Sequence, residues 1–280
     1  MFRLKIVFFL CLLFFLACAR EKDVPLVIQD EPFPMLGEIA LEPSENLIQG
    51  LSFPKDAQTL TLSMTWQVRQ SATGIPRSGI RVTEEMKLTK KECESLCFEA
   101  SSVDVQTSPP VDEIEDEVTA NLENAFLEVI EDGFGPRTTG PREFQNAVVK
   151  LVPFLQNKVL GVGTKIPFAH KEEREVAKDS KVILSYVGEY TFVGAGRLQG
   201  KEKRFFVVTL RYDVEGVSKG EKVASGIGKG VFLFDCEDKG LSLAQVNEQI
   251  MFSMTTSQNK RKAKKLTQLQ IGTLNFVVEE

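Results

Sequence analysis

Apolar and polar residues alternate along much of the chain, and that period of two sets most of its predicted elements. Leu60, Leu62, Met64, Trp66 and Val68 alternate with Thr61, Ser63, Thr65, Gln67 and Arg69. This is a half-buried strand. A turn region with Gly74, Pro76 and Gly79 follows. Ile80, Val82, Met86 and Leu88 mark a second strand, and Cys97 to Val105 a third. The three predict an antiparallel meander.

The period then changes. Ile114, Val118 and Leu122 fall four residues apart, as on a short helix, within the acidic run Asp112 to Glu117. That run lacks the Gly and the alternating ligands of a calcium loop, so it reads as a solvated face. Phe126 to Ile130 is a strand candidate, ended by Asp132-Gly133. Gly133 to Pro141 is rich in Gly and Pro and separates two stretches of chain. Beyond it, Phe144, Ala147, Val148, Leu151, Val152 and Leu155 draw one continuous apolar stripe. Pro141 suits the first helical position, and Pro153 should end or kink the helix. Such a stripe packs on a sheet or serves as a lid over a cavity.

Alternation returns strongly afterwards. Val182, Leu184, Tyr186, Gly188, Tyr190 and Phe192 form one face of a long strand, and Gly194, Gly196 and Gly200 read as its turn. Phe206 to Val214 alternates again, Gly216 to Gly220 turns the chain, and Val231 to Phe234 is apolar before the turn Asp235 to Gly240. Leu241 to Met254 and Leu266 to Val278 read as a closing hairpin. The expected fold is mainly β: a large curved antiparallel sheet or incomplete barrel with one amphipathic helix packed on it. The expected organisation is a leader over 1–17, a tether over 18–36 and a β-rich domain over 37–280. The domain divides into candidate similar halves, 37–132 and 141–280.

The first residues follow another rule. Arg3 and Lys5 precede an unbroken apolar run from Ile6 to Ala17, and Cys18 comes next. That is the layout of a secretory signal peptide. The run is shorter than the roughly 20 apolar residues a spanning helix needs. Phe15-Leu16-Ala17-Cys18 resembles the lipobox of bacterial lipoproteins, with Ala17 and Cys18 in their expected places and Phe15 and Leu16 departing from the commonest residues. The resemblance implies cleavage before Cys18 and its acylation, palmitate included. Ala19 and Arg20 after the Cys imply the outer membrane of a two-membrane bacterium. Ala19 to about Pro34, with Pro25, Pro32 and Pro34 and no period, reads as a spacer holding the fold off the membrane.

Composition narrows the chemistry. The formal charge of −5 includes Arg3 and Lys5, so a chain cut before Cys18 sits near −7. A net acidic chain is a poor partner for nucleic acid. The one basic cluster is Lys260, Arg261, Lys262, Lys264 and Lys265, a hairpin tip that could touch an anionic surface. Beyond Cys18, the mature chain keeps Cys93, Cys97 and Cys236. Cys93 and Cys97 can bridge in an oxidising compartment or stay as two buried thiols. With His170 the only histidine, a zinc set is not assembled, and no metal or cofactor is expected. His170, followed by Lys171, Glu172, Glu173 and Arg174, reads as an exposed strand end. No Gly-x-Ser-x-Gly is present. Gly226-Ile-Gly228-Lys-Gly230 lacks the ending of a phosphate loop and reads as bulges or tight turns. No enzyme activity is expected.

Two passages resemble a bacterial lipoprotein family of unknown function. One is Phe144 to Phe168, a helix leading through Leu-Gly-Val-Gly-Thr into a strand; the other is Gly-Ile-Gly-Lys-Gly-Val-Phe-Leu-Phe-Asp235 with the strand Ile250 to Met254. The wider layout resembles the LolA/LolB-like lipoprotein carriers, which implies an apolar concavity and no catalytic residues. The expected function is a lipid-anchored, non-enzymatic envelope protein of structural or interaction type. The alternative is a carrier of a lipid or other apolar ligand in a half-barrel. Expected partners are the membrane, through the acyl chains, and another envelope protein or a lipid.

Overall fold

A computed structural model describes residues 26–42, 47–72, 75–129, 136–153, 155, 157–177, 180–256 and 264–279 of the 280-residue chain. Period-two alternation becomes strand wherever it was read. β1 (Ile39–Glu42) and the two-residue β2 (Ile48–Gln49) precede the meander β3 (Thr59–Ala72), β4 (Ile75–Lys91) and β5 (Leu96–Ser108). Helix α1 (Asp112–Leu122), β6 (Phe126–Val129), β7 (Pro136–Thr139) and helix α2 (Arg142–Leu151) follow. After β8 (Val159–Leu160) come six long strands: β9 (Lys165–Ala177), β10 (Ser180–Leu198), β11 (Arg204–Ser218), β12 (Glu221–Asp235), β13 (Leu241–Thr256) and β14 (Lys264–Glu279).

Twelve of these strands form one open antiparallel sheet. β10 carries both β1 and β9 on its outer flank, and the order then runs β11, β12, β13, β14, β3, β4, β5, β6, β7. The last strand meets the first long one, with Glu279 opposite Thr59 and Leu266 opposite Ala72. Strands from both expected halves therefore share a single sheet. β2 and β8 pair separately.

The sheet curls tightly. β9 and β14 are five strand spacings apart in the order, about 24 Å along a flat sheet. Yet Arg174 Nη1 on β9 donates to Gln270 Oε1 on β14 at 2.6 Å. One transverse row shows how the curl is accommodated. Phe168, Gly188, Tyr212, Gly228, Glu248, Gly272 and Trp66 are successive cross-strand partners. Large side chains and glycines alternate across seven strands. A Cβ on Gly228 would stand 2.0 Å from Tyr212 Cζ, and one on Gly272 would stand 2.3 Å from Trp66 Cζ3. Each ring lies where its neighbour has no side chain, so those glycines answer to close packing. Gly226 to Gly230 thus sit inside a regular strand rather than at bulges or turns. The predicted turn at Gly194 and Gly196 also lies within β10, where the register slips between Phe192 and Gly194.

The main core fills the inner, concave face. α2 contributes Phe144, Ala147, Val148 and Leu151, all buried. Pro141 stands at its N-cap rather than in its first turn, and Pro153 follows just after its end. α1, the second helix, buries Ile114, Val118 and Leu122. Most of its acidic residues face solvent, but Glu115 accepts from the Thr107 amide and hydroxyl at 2.6 and 2.7 Å.

A second, smaller core lies on the outer face. Phe33, Met35 and Leu36 pack on Ile39, Phe205, Val207, Val231 and Leu233. The described part of the expected tether is therefore a strap across the sheet. Gln29 N donates to Gln249 Oε1 at 2.8 Å, and Lys229 Nζ lies 2.7 Å from Asp30 Oδ1. The segment reads as a spacer because its prolines forbid a period. Phe33, Met35 and Leu36 nonetheless recover enough apolar area to hold it down.

Candidate functional site

The inner face holds one polar island, below α2 and centred on the glycine-alternating row. Lys150 enters from the helix. It follows Ala147 by three residues, so it shares the sheet-facing side with the apolar stripe. Its Nζ lies 2.7 Å from Glu248 Oε2 and 4.5 Å from the centre of the Tyr186 ring. Only 2% of the Lys150 side chain and 1% of Glu248 remain exposed. The Tyr212 hydroxyl donates to the same Glu248 oxygen at 2.7 Å.

A second pair lies two and three inward-facing positions along β9 from Phe168. Arg174 on β9 bonds Glu172 on the same strand. His170 sits between the pairs, its ring 5.6 Å from that of Tyr186. Its Nε2 lies 3.2 Å from Asn146 Oδ1, a hydrogen bond that requires the Nε2–H tautomer. This corrects the expectation of an exposed strand end. His170 is half-buried within β9, and Phe168, His170, Glu172 and Arg174 all face inward.

The electrostatics follow from burial and pairing. Burial pulls the His170 imidazole below its ordinary value and Lys150 adds to that, against the opposing pull of Glu172 and Glu248. The ring is therefore neutral at pH 7. Burial pushes the Tyr186 and Tyr212 hydroxyls up, and the Glu248 charge adds to both. Burial also works against the Glu172 carboxylate, but Arg174 first, then Lys150, outweigh it and hold the group below the usual range. The Tyr186 hydroxyl approaches Glu172 closely enough to favour its charged form, yet no hydrogen bond of normal geometry joins them. Two cations and two carboxylates thus neutralise one another, with Lys150 and both carboxylates away from solvent and Arg174 partly exposed. A buried pair of this kind costs desolvation, and loss of one partner strands the other. Its effect is to seat α2 on the sheet in one position.

Glu84 is the contrast. It faces inward on β4, is buried, and has its carboxyl pushed up to about 8 by burial, with Glu143 of α2 adding to the shift. At neutral pH it is mostly a neutral acid.

The residues singled out beforehand lie elsewhere. Cys93 and Cys97 form a disulfide at the turn between β4 and β5. Cys236 is the free thiol among the described residues, half-buried after β12 and pushed up by burial. Lys264 and Lys265, read as loop, are the first residues of β14. Cys18, Lys260, Arg261 and Lys262 lie outside the described residues. Neither the disulfide nor Cys236 joins the island. Part of this had a signal in the sequence: ionisable residues at Glu84, Lys150 and Glu248 fall on positions that the alternation or the helical stripe assigns to the core. Among the described residues, no group of three or more His, Cys, Asp and Glu could hold a metal ion. None of the described helices is long and apolar enough to cross a membrane. No protein-family model matches the chain, and no curated protein is significantly similar to it.

Proposed function

We propose that this chain is a lipid-anchored protein of the bacterial cell envelope that acts by binding, as a structural or interaction module, rather than by catalysis. One observation carries the non-catalytic part. The four charged groups of the island, Lys150, Glu248, Glu172 and Arg174, are spent on two ion pairs, and Lys150 and Glu248 are sealed beneath α2. General acid–base chemistry needs such groups within reach of a substrate proton. The anchor rests on the charged start, the apolar run and Ala17-Cys18. Several acyl chains there hold firmly, since each buried methylene contributes about 0.8 kcal/mol. The residues after Cys18 favour the outer membrane.

The second reading, a carrier of a lipid or other apolar ligand, draws on the LolA/LolB-like layout of a curled sheet around a helix. It has less support. The aromatic side chains that would line a ligand cavity, Tyr186, Phe192, Tyr212 and Phe232, are buried within the core. Cells grown with labelled palmitate test the anchor: the full chain incorporates label and Cys18→Ala does not. Equal labelling of both, or of neither, contradicts it.

A further inference from the structure

We infer that the outer face of β10 and β11 is the side of the molecule that rests on the bilayer, through an aliphatic patch beside the N-terminal strap. The inference relies on the acylation of Cys18 proposed above and says which face the anchor presents.

The length of chain between anchor and fold carries the argument. Leu26 is the first described residue, eight residues beyond Cys18. Eight residues span at most about 29 Å, however they are arranged. Three residues later the chain is already fixed to the outer face, where Gln29 bonds Gln249. To turn the inner face to the membrane, the linker would have to round the sheet edge at β9. That edge is four spacings, about 19 Å, from β13. It would then have to pass the layer of helix and side chains, about 10 Å deep. Those distances consume its whole reach. The outer face is within reach without any detour.

The same face carries exposed aliphatics in the right place. Gln249, Ile227, Asp213 and Val187 are successive cross-strand partners, so Val187 lies in the strap's own row about 14 Å away. Val187 is 63% exposed, Ile183 52% and Val27, at the start of the strap, 53%. Ile183 stands directly opposite Val217, itself 38% exposed. Lysines border the patch, with Lys222 opposite Val217 and Lys181 two residues before Ile183. Such side chains can lay their stems on apolar surface and raise their ammonium groups to phosphates. Lys181 is paired with Glu173 and Lys222 with Glu215, and exposed Asp213 opposite Val187 leaves the patch with no excess of positive charge. The contact is therefore with the lipid surface as such, and it depends little on anionic lipid or on salt.

The test uses the full acylated chain with Cys236→Ser, bound to vesicles of phosphatidylethanolamine and phosphatidylglycerol. A nitroxide is placed at Val187→Cys and, for comparison, at Asp104→Cys, an exposed position on β5. Collision rates with oxygen and with a water-borne nickel chelate are measured free and vesicle-bound. The expected result is a severalfold loss of chelate access and a gain of oxygen access at 187 on binding, with 104 unchanged. Floating vesicles that carry the protein, with 187 as open to chelate as 104, overturn the face assignment and leave the anchor standing. Protein that lacks acyl chains and does not float overturns both.

Discussion

The two faces of the β9–β14 half are covered in opposite ways. The inner face receives a helix, interlocked rings and two buried charge pairs, and its main pair is 2% and 1% exposed. The outer face receives an irregular strap that crosses only part of it, holds Lys229 to Asp30 at 2.7 Å, and leaves Ile183 and Val187 in solvent. Both coverings use the same ingredients, apolar side chains and a Lys–carboxylate pair. The difference is desolvation. Where water is excluded, a charge without its partner is expensive; where water remains, it is nearly free. The inner covering therefore locks, and the outer one only guides the chain.

The sharpest way to break that contrast is Glu248→Ala. It strands Lys150 and removes the acceptor of Tyr212, so urea unfolding should show a loss of about 3–5 kcal/mol. A loss below 1 kcal/mol would put the pair in effective contact with water.

Glu84 gives the next effect and a pH signature. Its folded value, about 8, is raised above the ordinary 4.5, so the folded state holds the extra proton. The stability it contributes is complete below pH 4.5, falls between 4.5 and 8, and is gone above 8. The urea midpoint should drop over that interval, and Glu84→Gln should flatten the drop. An unchanged slope in the variant would place Glu84 in solvent.

Gly228→Ala should cost about 1–3 kcal/mol, because the new methyl meets the Tyr212 ring and forces a shift in the row. Thermal melts would show it, and an unchanged midpoint would mean that the ring does not lie over the glycine. The smallest effect belongs outside. Asp30→Asn should leave the urea midpoint where it was, since its partner Lys229 also bonds the Glu31 carbonyl and lies near the Phe33 ring.

Much of the fold is legible in the alternation. Each stretch where period two was read is a long strand, and helix α2 ends at Leu151, just before Pro153, as the chemistry of proline requires. The island is legible only in part. Lys150 and Glu248 occupy core positions of their patterns, which flags them, but nothing local says that one meets the other across 98 residues. The alternation of glycines with rings exists only once six registers are set, so no single strand reveals it. His170 is hidden for another reason. In β9 both faces are polar, with Lys171 and Glu173 turned outward and Glu172 and Arg174 inward, so the period leaves no hydrophobic trace. The strap is hidden because a segment without period looks the same whether it is free or laid on a surface.

On the proposed function, the inside of the molecule is filled by its own chain and the outside meets the envelope. Native mass spectrometry of the full protein, released gently from membranes, tests that division most directly. The predicted mass is the chain from Cys18 onward plus its covalent acyl groups, the same before and after denaturation. A further mass that departs on denaturation would mean that the inner face holds a ligand, and would contradict the account.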